Sequence, residues 1–177
     1  MSTEFGEIID ASTVRFERLL PGPIERVWSY LSKREFLSTW LADGDIGPAG
    51  SQINLRLQGP KVPMQTGATI VGSVHRCEPP RVLSYTWTHI APGASEPTVA
   101  ESLVTFELEP RGEKVRLILT HSRIAPEFIT RLSTGWHSFL DIMRLRMGNQ
   151  EPEPLQQLFG QLLPQYEERF KTVAGVR

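Results

Sequence analysis

One apolar stripe constrains this chain more than any other feature. Phe128, Leu132, Trp136, Phe139, Leu140, Met143 and Met147 recur at helical spacing. Pro126 suits a first helical turn, where its missing N–H costs little, and Gly148-Asn149 supplies the stop. Such a segment of about 21 residues makes a helix on the order of 30 Å long. Its stripe must be buried, and the residues from 45 to about 122 read as strands. A curved sheet is then the surface large enough to cover it.

The strand signals are runs of alternation. Residues 13–20 (TVRFERLL) carry β-branched and aromatic side chains, and Pro21-Gly22-Pro23 stops them. Residues 52–57 place Ile53, Leu55 and Leu57 on one face. Residues 67–77 are β-branched and end at Pro79-Pro80. Residues 82–89 set Leu83, Tyr85 and Trp87 against Ser84, Thr86 and Thr88. Residues 99–109 align Val104, Phe106 and Leu108. After the turn Arg111-Gly112-Glu113, residues 114–122 align Val115, Leu117, Leu119 and His121. Short connections between these runs favour antiparallel neighbours.

Two short helices interrupt the series. Ile24, Val27, Trp28 and Leu31 form one apolar face, and Phe36, Leu37, Trp40 and Leu41 form a second, which Gly44 ends. Residues 1–11 read as a loose tail, 12–148 as the domain, and 149–177 as a linker (QEPEP) with a helical extension. In that extension Leu155, Leu158, Phe159, Leu162, Leu163, Tyr166 and Phe170 repeat the helical spacing. Pro164 is expected to kink or break it.

Charge and motif content narrow the function. The net charge of -1 carries no long run of either sign, so neither nucleic acid nor an anionic membrane is the expected partner. Cys77 is the lone cysteine, which excludes an internal disulfide and suits a reducing compartment. The first ten residues do not resemble a signal peptide, and no run reaches a membrane-spanning length, so a cytoplasmic protein is expected. G-x-G-x-x-G, a Walker-type loop, H-E-x-x-H and G-x-S-x-G are all absent. None of His75, His89, His121 or His137 pairs with a second His or Cys at metal-ligand spacing, and no metal or cofactor is expected.

His121 is the histidine that alternation aims along an apolar face, where it could hydrogen-bond a ligand carbonyl or hydroxyl; a half-exposed strand-end histidine is the plainer reading. An acid–base pair of Glu101 with His121 requires aligned strands, and Glu101 lies off the apolar face. Trp28 reads as structural. Cys77 reads as an inert edge or buried thiol.

The order β-α-α-β-β-β-β-β-α resembles the START-like (SRPBCC) superfamily and, within it, the Hsp90 ATPase activator homologue family. The resemblance rests on "PGPIERVWSYL" (21–31), "REFLSTWL" (34–41), "GSVHRCEPPRVLSYTW" (72–87), "SLVTFELEPRGEKVRLILTHSRI" (102–124) and "GWHSFLDIM" (135–143). The chain departs from the family at the final hairpin, where Glu113-Lys114 replaces a common Gly-Thr pair, and in the extension after 148.

The resemblance implies an α+β helix-grip fold, a curved antiparallel sheet wrapped around a long C-terminal helix with a cavity between them. Trp40, Leu55, Tyr85, Trp87, Val104, Phe106, Leu117, Leu119, His121, Trp136, Phe139, Leu140 and Met143 would then line that cavity. The implied ligand is a small apolar molecule, lipid- or polyketide-like, bound without obvious catalysis. A chaperone-activator-like or regulatory interaction module is the alternative, with the last helix docking a partner or a second copy. A cyclase or hydrolase acting on a polyketide-like substrate is the third reading, and fold alone does not choose among them.

Overall fold

The computed structural model describes residues 4–57 and 67–174. Among them the chain runs β1 (Glu7–Asp10), β2 (Thr13–Pro21), α1 (Ile24–Ser32), α2 (Arg34–Leu37), β3 (Ala42–Asp43) and β4 (Gln52–Leu57). Then follow β5 (Thr69–Glu78), β6 (Val82–Ile90), β7 (Val99–Arg111), β8 (Lys114–Ser122), α3 (Ile129–Met147) and α4 (Leu155–Ala174). The strands form one antiparallel sheet in the order β1-β2-β8-β7-β6-β5-β4-β3. This open, curved sheet with a long helix against it is the helix-grip architecture expected from the strand order and the α3 stripe.

Register follows the alternation. Phe16 pairs with Leu119, and Leu119 with Phe106, so three strands present one apolar row. Val104 sits in the neighbouring row, between His121 and Tyr85. The β7–β8 hairpin closes at Arg111↔Lys114 through Gly112 at φ +63, a conformation glycine adopts without strain. Gly72 has a different duty. A Cβ there would collide with the Thr86 carbonyl of β6, so β5 needs glycine to lie against its neighbour.

α3 lies across the concave face. A single turn of 3-10 helix at Pro126–Phe128 leads into it, and Gly148 ends it. Arg26 of α1 donates to the Met147 carbonyl at 2.5 Å, satisfying one of the terminal acceptors of α3. The stripe residues Leu132, Trp136, Phe139, Leu140, Met143 and Met147 are all buried, as the spacing predicts. The opposite side of α3 is buried too: Thr134, His137, Ser138 and Asp141 are each at most 1% exposed. Thr134 and Ser138 hide their hydroxyls on the carbonyls one turn back.

The cover on that second side is α4. Leu155, Leu158, Phe159, Leu162 and Tyr166 are buried, so the last helix lays its apolar stripe on its own domain. It runs through Pro164, where a kink or a break was expected, as one unbroken element. Pro164 sits one turn after the exposed Gly160, and Gln165 donates its side-chain amide to the Gln161 carbonyl.

The start of the chain also differs from the expected loose tail. Residues 7–10 pair with β2 as an edge strand. Phe5 packs its ring 5.0 Å from His137 and 5.3 Å from Tyr166, and Arg169 lies 3.7 Å over it. The Gly6 N–H donates to the Tyr166 hydroxyl at 2.8 Å. Beneath this cover Arg18 is 1% exposed, on the same strand face as Phe16 and Leu20. It donates to the carbonyls of Glu4 (2.7 Å) and Glu17 (2.9 Å), with Asp141 at 3.9 Å. Burial works against its charge, and Asp141 and then Glu4 oppose that effect.

Candidate functional site

The thirteen residues predicted to line a cavity come from five elements and the α2–β3 turn, and all are buried. Trp40, Leu55, Tyr85, Trp87, Val104, Phe106, Leu117, Leu119, Trp136, Phe139, Leu140 and Met143 belong to one continuous buried cluster, and His121 is wholly buried beside them. Aromatic rings dominate the middle. Trp136 sits 5.1 Å from Trp87 and 5.9 Å from Phe106, with Phe139 at 6.3 Å. Tyr85 is stacked 6.5 Å from Trp87. Trp40 donates its indole N–H to the Tyr30 carbonyl at 2.9 Å, which ties one end of this surface to α1.

His121 occupies the other end, and its hydrogen bonds have one consistent direction. The Trp136 Nε1–H can only donate, and it reaches His121 Nδ1 at 2.8 Å. Nδ1 therefore accepts, and the imidazole carries its proton on Nε2. That N–H donates to Ser102 Oγ at 2.7 Å, and the Ser102 hydroxyl donates to the Trp87 carbonyl at 3.0 Å. Burial pushes the His121 pKa down to about 3. The ring is neutral near pH 7 and its lone pair is already engaged, so in this arrangement it is a poor proton acceptor.

The partner of His121 is thus Ser102 and not Glu101. Glu101 points to solvent and faces Arg123 at 3.8 Å. Ser102 was legible in principle, since counting back by twos from Phe106 and Val104 places it on the inner face. His137 packs on the far side of α3, 3.0 Å from the Tyr166 hydroxyl, away from the sheet. His75 is exposed. Cys77 is half-buried, and burial raises its pKa, which argues against a reactive thiolate.

Two polar tips in the aromatic region differ from the His121 corner. The Trp87 Nε1–H is buried and has no hydrogen-bond partner. Burial alone raises the Tyr85 phenol above its usual pKa, with no hydrogen bond contributing. A buried donor without a partner is uncommon, because desolvating it costs about 1–3 kcal/mol. Among the described residues no group of three or more His, Cys, Asp or Glu side chains could hold a metal ion. No helix among them is long and apolar enough to cross a membrane.

The family model described as "Activator of Hsp90 ATPase homolog 1-like protein" matches residues 21–148. No curated protein matches the chain. A Bordetella parapertussis protein solved by NMR is similar over 94% of this chain and 90% of its own, with 37% identity and a TM-score of 0.74. CalU16 from Micromonospora echinospora is 21% identical, covers 93% of each chain and has a TM-score of 0.65. DynU16, a protein in the dynemicin biosynthetic locus, is 18% identical over 82% of this chain and 49% of its own, with a TM-score of 0.61. The last two likenesses concern the fold.

Proposed function

From the premise that the chain belongs to the Activator of Hsp90 ATPase homolog 1-like family, we propose that it binds a small, largely apolar molecule between the sheet and α3, without turning it over. The observation that carries this reading is the unpartnered Trp87 Nε1–H, buried within an aromatic surface of Tyr85, Phe106, Trp136 and Phe139. A ligand acceptor at that donor would remove the desolvation cost that the free protein bears. Val104, Leu117, Leu119, Leu140 and Met143 would supply the apolar walls, and Leu55 and Trp40 would close the β4 side.

Binding is favoured over turnover because His121, the sequence's one candidate base, is neutral and engaged at both nitrogens. It is favoured over a docking role for the C-terminal helix because α4 already lays its stripe on α3. That DynU16 belongs to a biosynthetic locus accords with a small-molecule ligand.

Native mass spectrometry of gently purified protein tests the proposal. A species heavier than the chain by a small molecule's mass, released on denaturation, is the expected result. A bare chain that also fails to bind any apolar fluorophore saturably would remove the proposal.

A further inference from the structure

A second histidine shares the inner face of β6, and its state is the reverse of that of His121. His89 follows Trp87 by two residues, about 6.6 Å along a strand, and the β6–β7 register shifts between them. It pairs across the sheet with Ile70, which is fully buried. Trp87 and His89 therefore point to the same, inner side of the sheet, near the C-terminal end of β6.

The tautomer of His89 follows from Thr98. The Thr98 hydroxyl oxygen lies 3.0 Å from the His89 carbonyl and 2.7 Å from its Nδ1. Two oxygens at that distance need a proton between them, and only the threonine has one to give. Oγ1 therefore donates to the carbonyl and accepts from Nδ1–H. The proton of the neutral ring sits on Nδ1, and Nε2 is left with a lone pair. Nε2 is buried and has no hydrogen-bond partner. Burial lowers the pKa of the ring, which keeps that lone pair free near neutral pH.

The same strand face thus carries one unpartnered donor and one unpartnered acceptor, two residues apart, beside an aromatic wall. The His121 corner differs, because it uses every polar atom it presents. We infer that Trp87 and His89 together read a ligand that carries both a carbonyl oxygen and a hydroxyl on a flat apolar body. The indole N–H donates to the carbonyl, and Nε2 accepts from the hydroxyl. This rests on the ligand-binding reading above and adds the class of ligand: hydroxylated cyclic ketones over hydrocarbons or acyl chains of the same size.

Three probes of one skeleton separate the two ideas: tetralin, 1-tetralone and 6-hydroxy-1-tetralone, titrated into the full chain by calorimetry. The wild-type protein should bind them with rising affinity, each added group contributing roughly 5- to 10-fold. Trp87→Phe should erase the gap between tetralone and tetralin. His89→Leu should erase the gap between hydroxytetralone and tetralone, and His89→Gln, which keeps an acceptor, should retain it. Each variant is scored against its own tetralin affinity, so weakened folding cannot imitate the effect. The wild-type series decides alone if a variant does not fold. Equal affinities for the three probes, or gaps that survive both removals, overturn the inference and leave ligand binding standing. If tetralin itself does not bind saturably, the binding reading falls, and this inference falls with it.

Discussion

The inner face of the sheet holds two histidine corners that began with the same residue type and ended in opposite states. At His121 every polar atom has a partner: Trp136 donates to Nδ1, Nε2–H donates to Ser102 Oγ, and the Ser102 hydroxyl donates to the Trp87 carbonyl. Around His89 the chain secures Nδ1 through Thr98 and leaves Nε2 and the neighbouring Trp87 N–H without partners. A closed hydrogen-bond circuit in a low-dielectric interior fixes rotamers and resists substitution. An open one leaves desolvated atoms whose cost only an incoming molecule can relieve. The lesson is that burial alone does not mark a site; the state of the hydrogen bonds separates a structural histidine from a recognising one.

Substitution at the closed corner should have the largest effect. His121→Ala leaves the Trp136 N–H orphaned beside a new void and should cost about 3–5 kcal/mol in urea unfolding. A cost below about 1 kcal/mol would show that the circuit does not hold this part of the core.

The same corner should make stability depend on pH. The unfolded imidazole takes a proton below its ordinary value of 6.5, whereas the folded one resists until about 3. Its contribution is therefore complete above about 6.5 and is lost as pH falls toward 3, by about 1.4 kcal/mol per unit. His121→Gln lacks this dependence, so its deficit against wild type should shrink between pH 7 and 4.5 in urea midpoints. A deficit that stays constant over that range would contradict the buried, neutral assignment.

A smaller contrast sharpens the comparison, because it makes one chemical change in both places. Trp136→Phe strips a used donor and leaves His121 Nδ1 unsatisfied, whereas Trp87→Phe removes a donor that has no partner. The first should be the more destabilising by about 1–2 kcal/mol, despite similar loss of ring volume. Thermal unfolding of the two variants checks this, and equal losses would mean that the two indoles differ only in packing. The smallest effect is expected outside both corners. Arg76→Ala breaks an exposed 2.9 Å pair with Glu78 and should change stability by less than about 0.5 kcal/mol.

Much of this arrangement was legible in the chain. Alternation in β6, β7 and β8 and the 3.6-residue stripe of α3 specified which side chains would meet, and they met in one cluster. What stayed hidden had local physical causes. β1 pairs through its backbone at an edge, with three of its four side chains exposed, so no hydrophobic period announces it. Arg18 falls on the inward beat of Val14, Phe16 and Leu20, but a charge at a core position reads as a break in the pattern until Asp141 and the Glu4 carbonyl are brought to it. The polar back of α3 was invisible because its cover, α4, follows in sequence after the helix it buries. The difference between His121 and His89 depends on Trp136, Ser102 and Thr98, and only pairing register decides which histidine each one meets.

The central claim is most directly tested at the Trp87 indole itself. Proton–nitrogen correlation spectra of the labelled protein resolve the side-chain N–H of each tryptophan, and Trp87→Phe identifies its own signal by deletion. On titration with 1-tetralone that signal should move downfield and saturate as its N–H gains an acceptor, while the Trp40 signal, already bonded to the Tyr30 carbonyl, changes far less. A Trp87 signal that stays fixed at ligand excess, or moves no more than that of Trp40, would contradict the account.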